Sequence, residues 1–313
     1  MKKQVADSGL IQKHTLIFIF IMIAAILVGA AISAGKNKSP KTEYNVLSAG
    51  AAHTVALKKD GTVIVIGEGA DEQYGTYEWS DIVSVSAGSA HTIGLTSDGK
   101  VYAVGDNLYG QTDVADWKDI VSISAGAYFT LGLKADGTVI GAGDNYFGQI
   151  ETAKWMGIVS ISAGTVNSIG IKSDGTVVAA GDNSRGQINI GGWTDITAVS
   201  AGASHTVGLR SDGTVIATGD NYHGQCNVGD WSGIVAVTAG VGQTLGLKAD
   251  GTVVAAGDNY NGQTDVSEWT DIIAVSAGCG YTIGIKSDDA AISAGRTEEI
   301  TSSLHELREI GFP

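Results

Sequence analysis

"GDNYFGQ", residues Gly143–Gln149, returns as "GDNLYGQ" at Gly105, "GDNSRGQ" at Gly181, "GDNYHGQ" at Gly219 and "GDNYNGQ" at Gly257. The five starting glycines are evenly spaced, with no insertion or deletion between copies. Six tryptophans keep the same step (Trp79, Trp117, Trp155, Trp193, Trp231, Trp269), and an Ala-Gly pair recurs seven times, from Ala49 to Ala277. Seven such units fill the chain from about Tyr44 to Ile310. A fixed period of this size marks a repeat architecture, in which each unit buries its apolar face only against its neighbours. The array therefore reads as one cooperative domain.

One unit, Ile234–Asp271, shows what is repeated. Ile234–Ala239 alternates apolar and small residues, as a half-buried strand does. "TLGLK" reads as a second strand, "DG" as a two-residue type I′ turn, and "TVVAAG" as a third strand rich in β-branched residues. "DNYNG" forms a further turn in which Asn is suited to the left-handed conformation, and "QTDV" reads as a short fourth strand. No helical period of apolar residues is present, and glycine fills six positions of the unit, which excludes helical repeats. The predicted fold is all-β: a seven-bladed β-propeller of four-stranded repeats, preceded by one N-terminal transmembrane helix. Two hairpin turns per unit argue against a parallel β-helix.

The wording of the units resembles the regulator of chromosome condensation repeat family. "AGSAHTIGLTSDGKVYAVGDNLYGQ", Ala87–Gln111, matches its "AGxxHTxxL…DGxVxxxGxNxxGQ" line almost throughout, and the likeness extends over all seven units. The resemblance implies a seven-bladed propeller. In unit length and in the "GDNxxGQ" wording the chain also resembles a secreted bacterial member, the propeller-type β-lactamase inhibitory protein. That likeness implies inhibition of a β-lactamase-like or penicillin-binding enzyme, through large aromatics in the two residues after "AG". Here those pairs are small, Ala51-Ala52 and Ser89-Ala90 for example, with Tyr128 the only aromatic. The departure removes most of the surface such inhibition would use.

The ends of the array differ from its middle. The first unit has "GEGADEQ" at Gly67, and the seventh has "DD" at Asp288 where the others have "DG". Beyond Gly295 the apolar register continues, Val266 mapping to Leu304 and Trp269 to Leu307. This tail reads as a degenerate last strand closing the ring, with a short helix opened by "SLHE" as the alternative.

Four segments follow: a basic N-terminus (1–14), an apolar span (15–35), a linker (36–43) and the propeller (44–313). The span "TLIFIFIMIAAILVGAAISAG" runs from Thr15 to Gly35 without a charge, enough to cross a bilayer core. Its length and the long basic stretch before it favour an anchor over a cleaved signal peptide, whose cleavage site would fall at "AIS", Ala31–Ser33. Lysines flank it on both sides, so charge leaves its direction open. Its position favours export of the propeller, giving a membrane-anchored extracytoplasmic protein, or a secreted one after cleavage. Cys226 and Cys279 lie in the fifth and seventh units, too far apart in the ring to be read as a disulfide, and no zinc spacing is present.

The net charge is −14. Six of the 19 basic residues and one of the 33 acidic ones lie in residues 1–41, leaving 13 against 32 in the remainder. Such a propeller repels phosphate backbones, so nucleic acid is not an expected partner. No cofactor motif appears. His53, His91 and His205 share one slot, filled elsewhere by Phe129, Asn167, Gln243 and Tyr281, which reads as packing or hydrogen bonding and not as metal ligation. The Asp of each "GDN" reads as turn chemistry, and no residue pattern points to an enzyme; a propeller hydrolase or lyase, the remaining alternative, would need polar residues converging at the channel mouth. What varies is the pair inside "DNxxG". On the propeller reading these tips share a face with the "AGxxH" turns, free to differ while the scaffold repeats. The binding candidates are Tyr109, Tyr128, Tyr146, Phe147, Arg185, Tyr222, His223 and Tyr260. Aromatics among polar residues suit a contact surface. The expected function is a non-enzymatic binding module, a monomeric propeller on a membrane anchor, holding a protein or a cell-envelope polymer.

Overall fold

The computed structural model describes residues 46–58, 60–67 and 75–296. They form seven three-stranded sheets, each made of three consecutive antiparallel strands. In blade 2 the inner strand is Ile82–Ala87, the middle strand His91–Thr96 and the outer strand Val101–Gly105. The inner strands of all seven blades surround a central cavity of about 180 Å³. Among the described residues no helix is long and apolar enough to cross a membrane. The expected span 15–35 and the tail whose strand and helix readings compete both lie outside the described residues.

Among the described residues no blade shows the predicted fourth strand. After the outer strand the chain makes successive tight turns: Gly110 N–H donates to Asn107 O, Asp113 N–H to Gly110 O, Val114 N–H to Thr112 O and Trp117 N–H to Val114 O. The amides of Thr112, which reaches Asn107 Oδ1, Asp113 and Val114 are thus satisfied inside the loop and do not pair with the outer strand. The alternation that suggested a strand survives only as the burial of Val114. The "DG" turns also differ from expectation. Thr96 N–H donates to Lys100 O, Gly99 N–H donates to Thr96 O, and φ is positive at Gly99 alone in this loop (+83°). Each is a three-residue loop with its last residue left-handed, the type I turn plus bulge common in hairpins. In blade 7 Asp289 takes that position with φ +65°.

Apolar packing lies between blades. Trp155, Ile158 and Ile161 at the start of blade 4 pack with Phe129, Leu131, Leu133 and Val139 of blade 3. Each tryptophan needs a flat neighbour, and the middle strand supplies it: a Cβ on Gly132 would sit 2.6 Å from the Trp117 ring, and one on Gly208 would sit 2.7 Å from that of Trp193. The tryptophans are therefore wedges, one at each of six blade junctions.

A second lattice runs along the channel. Ala87 N–H donates to Ser48 Oγ of the preceding blade at 3.0 Å, and the pattern repeats at Ala125, Ala163, Ala201, Ala239 and Ala277. Ala49 N–H closes the circle on Ser276 Oγ at 3.0 Å, across 227 residues of sequence. These amides face the free edge of each inner strand, so the hydroxyls cover groups that would otherwise invite another strand.

Gly143 shows where the backbone tolerates no side chain. Its φ is +105°, and a Cβ would stand 2.5 Å from Tyr128 O and 2.7 Å from Phe129 Cα. Gly143→Ala is expected to cost about 3 kcal/mol or more, because a disfavoured dihedral and a backbone clash add. Chemical denaturation would read it. The same change at Gly191, which has open space around it, is the control.

Candidate interaction face

The outer strand of each blade ends beside the start of the middle strand, Gly105 opposite His91 and Gly143 opposite Phe129. Asp106 N–H then donates to Ala90 O, and Asp144 N–H to Tyr128 O. The "DNxxG" loop and the "AGxxH" turn of one blade are thereby laced together on one face, as the alternation of antiparallel turns demands.

Side chains, not a ladder, hold each loop. Asp144 Oδ1 accepts from Tyr146 N–H at 3.1 Å, and Gln149 Oε1 accepts from Phe147 N–H at 3.0 Å. Gln149 Nε2 donates to Asp144 Oδ2 at 2.8 Å, locking the two acceptors together. Asn145 Oδ1 accepts from Ile150 N–H at 3.1 Å. The same set recurs around Asp106, Asp182 and Asp258. Both variable residues thus have their amides satisfied by invariant side chains, which frees their own side chains from any duty to the fold. Asn145 is absent from the positive-φ residues, so the left-handed role expected for it is corrected: it works as a brace.

The two variable positions differ. The first points to solvent: Tyr146 and Tyr222 are each 85% exposed, Tyr260 93% and Leu108 80%. The second leans toward the next blade. Tyr109 meets Tyr128 at 5.4 Å between ring centroids, Arg185 Nη1 lies 3.6 Å from Asp220, and His223 Nδ1 lies 3.9 Å from Asp258. Phe147, about half exposed, meets Tyr146 edge-on at 4.9 Å. All eight sequence candidates lie in these loops and turns. The apolar ones concentrate in blades 2 and 3, where Leu108, Tyr109, Tyr128, Tyr146 and Phe147 follow one another around the rim. Leu108 and the half-exposed Val241 were missing from the candidates, although Leu108 occupies the slot of Tyr146 and Val241 that of the small "AGxx" residues.

Beneath the tips, the histidine slot is a hydrogen-bonding belt. His91 Nε2 meets Thr130 Oγ1 of the next blade at 3.0 Å, and His205 Nε2 meets Thr244 Oγ1 at 2.9 Å. Thr130 gives its single proton to Gln111 O, and Thr244 gives its own to Gln225 O. Each histidine must therefore donate from Nε2, leaving Nδ1 a bare, buried acceptor without a partner. Burial lowers both imidazoles to about 4, with a further lowering from His53 and an opposing pull from Asp106 at His91, and an opposing pull from Asp220 at His205. His53, bonded to Thr92, is lowered to about 4 by burial alone. At the ring's seam Tyr281 replaces histidine and donates to His53 O at 2.8 Å. Cys226 is a half-buried free thiol, raised to about 11 by burial and then by Asp220, and Cys279 is free and exposed at the channel mouth. Among the described residues no cluster of three His, Cys, Asp or Glu could hold a metal ion.

The model of the regulator of chromosome condensation (RCC1) repeat matches residues 82–111, 120–149, 158–187, 196–225 and 234–263. A search of curated protein sequences found no match. Among solved structures, the chain is similar to the CRINKLY WD40 ectodomain of the receptor kinase ACR4 from Arabidopsis thaliana. The identity is 19% and the TM-score 0.66, covering 80% of this chain and 95% of that one. The ectodomain of the receptor kinase CR4 from Physcomitrella patens gives 21% identity and a TM-score of 0.67, covering 80% of this chain and 73% of that one. Prp20p of Saccharomyces cerevisiae, described with its binding properties to Gsp1p and histones, gives 18% identity and a TM-score of 0.59, covering 90% and 92%. At such identities the likeness speaks for the fold alone.

Proposed function

Because the chain belongs to the regulator of chromosome condensation repeat family, we propose that it is a non-enzymatic interaction module that holds a partner on the rim made by its "DNxxG" loops and "AGxxH" turns. The observation that carries this reading is the division of labour inside the loop. Asp144, Asn145 and Gln149 satisfy the backbone, while Tyr146 and Phe147 project without a structural task. Exposed aromatics on a rigid frame lose little conformational freedom on contact, which makes them effective anchors. Yeast RCC1 (Prp20) is described bound to Kap60, which supports protein binding as a use of this fold. Inhibition of a β-lactamase-like enzyme has less support, since only Tyr128 is aromatic among the "AGxx" pairs.

The same proposal places the rim outside the cell, with residues 15–35 as the anchor and a monomeric propeller beyond it. Its support is the uncharged span from Thr15 to Gly35. The full-length protein is then expected to stay with membranes through an alkaline wash. Recovery of a soluble form beginning near Ala34 would show a cleaved signal peptide instead.

The rim itself is tested by two variants with opposite signatures. Asn145→Ala removes the brace on Ile150 N–H and is expected to cost about 1–2 kcal/mol of stability. Tyr146→Ala combined with Phe147→Ala is expected to leave the melting temperature nearly unchanged. It should weaken partner capture from cell-envelope extracts by at least tenfold, the effect of losing anchors worth about 2 kcal/mol. A double variant that melts early yet captures normally would make these tips packing residues.

A further inference from the structure

The two sets of loops carry charge differently. The hairpin loops from Lys58–Thr62 to Lys286–Ala290 hold eight Lys or Arg against eight Asp, side by side; Lys100 pairs with Asp98 at 2.7 Å. The five "DNxxG" loops, each counted through the second residue after its Gln, hold eight carboxylates and a single Arg, Arg185. That one cation already lies 3.6 Å from Asp220. The "AGxx" turns of all seven units carry no charge. The rim loops therefore present a field of one sign, whereas the hairpin loops balance within themselves and take an excess of acid only from Asp81, Asp119, Asp195 and Asp271 beside them.

Exposed rings stand inside this field. Tyr146, Tyr222 and Tyr260 are each two residues from a loop carboxylate, Asp144, Asp220 and Asp258. The loop holds that spacing rigidly at two of them, through Tyr146 N–H on Asp144 Oδ1 and Tyr260 N–H on Asp258 Oδ1. A ring face beside a fixed carboxylate receives a Lys or Arg side chain twice over, through the quadrupole and through the charge. In the sector of blades 2 and 3 two ring pairs stand in the loops and turns, Tyr109 with Tyr128 and Tyr146 with Phe147, and no cation lies in either loop.

Deepening the interaction reading above, and resting on it, we propose that the rim's partner is a cationic protein segment, its Lys or Arg side chains laid across the exposed rings and loop carboxylates of blades 2 and 3. Charge complementarity selects this occupant, because a neutral glycan would use the rings but not the one-signed field, and an anionic polymer would be repelled.

The probe is a fluorescein-labelled peptide of alternating Arg and Gly, titrated against the full-length protein by anisotropy, with a Glu-Gly peptide and a neutral oligosaccharide as comparisons. The Arg peptide is expected to bind and to weaken at least fivefold when salt is raised from roughly 50 to roughly 300 mM, as screening of an exposed field requires. Tyr146→Ala/Phe147→Ala should weaken it at least tenfold, while Met156→Ala, an exposed apolar residue preceding the inner strand of blade 4, should not. Equal loss with Met156→Ala, or none with the tip variant, would mean non-specific attraction to an acidic protein and overturn the proposal. If the oligosaccharide binds instead, dependent on Tyr146 and Phe147 but indifferent to salt, the cationic partner is overturned while the rim survives. If capture from extracts also ignores the tip variant, the interaction reading itself falls.

Discussion

Deleting Thr197–Ile234, one full period, is expected to abolish cooperative unfolding. The junction it creates, Ile196 followed by Val235, keeps the repeat register, so every remaining blade meets a neighbour of the kind it already has. What changes is closure. A six-blade ring would have to widen every blade-to-blade step by about a sixth, and wedges fitted to one angle do not fit another. The seam would be lost first. Ala49 N–H on Ser276 Oγ and Tyr281 on His53 O and Thr54 Oγ1 join blade 7 to blade 1, over a core that packs Val46, Val55 and Leu57 with Ile283 and Ile285. An open arc would expose both of those apolar surfaces and unfold from its ends, since a linear array has only neighbour-to-neighbour stability. Scanning calorimetry decides the matter through the ratio of calorimetric to van't Hoff enthalpy. A variant melting in one sharp transition at the parent's temperature would show that closure between blades 7 and 1 contributes little.

Much of this architecture was legible in the sequence because its largest constraints occur once per period. Trp117 and Gly132 must both be present for one wedge to seat, and each recurs at the same step along the chain. Placing the tips and the "AGxxH" turns on one face needed only the alternation of antiparallel turns, and the backbone bond between Asp144 and Tyr128 supports it. The fourth strand was misread for a physical reason. "QTDV" has the alternation of a strand, but Asn107 Oδ1 takes the amide of Thr112, and Asp113 and Val114 turn back on the loop. Periodicity reports which side chains are buried, not where backbone donors go. The serine circle was hidden for the opposite reason. "SAG" is plainly repeated, but a hydroxyl and an amide 39 residues apart become partners only when neighbouring blades are in place. Within the rim, the sequence showed which positions vary. It did not show that the first member faces solvent at Leu108, Tyr146, Tyr222 and Tyr260 while the second leans on the next blade at Tyr109, Arg185 and His223.

Acidification from pH 6.5 to pH 4 is expected to destabilise the propeller steeply, and the three buried histidines are the cause. Each is neutral in the folded state, lowered by burial to about 4, and returns to about 6.5 when unfolded. Between those values the unfolded chain binds more protons than the folded one, so stability is fully present above pH 6.5 and falls as pH drops toward 4. The structural reason is clear at His91 and His205. Nε2–H is committed to a threonine whose own proton is spent on a glutamine carbonyl, so a second proton on Nδ1 would find no acceptor. The shift corresponds to roughly 3 kcal/mol for each histidine, enough that three together rival the whole stability of a typical domain. Carboxylates such as Asp136 and Asp212, held low by their threonines, act below about pH 5 and leave the upper part of this window to the histidines. The repeats supply the control. Asn167 occupies the same slot and reaches Thr206 at 3.5 Å without a titrating group. Replacing His53, His91 and His205 together by Asn should lower stability at pH 8, because the bonds to threonine lengthen, yet flatten its dependence between pH 6.5 and 4. A triple variant whose unfolding free energy falls with acid as steeply as the parent's would assign the acid response to other groups.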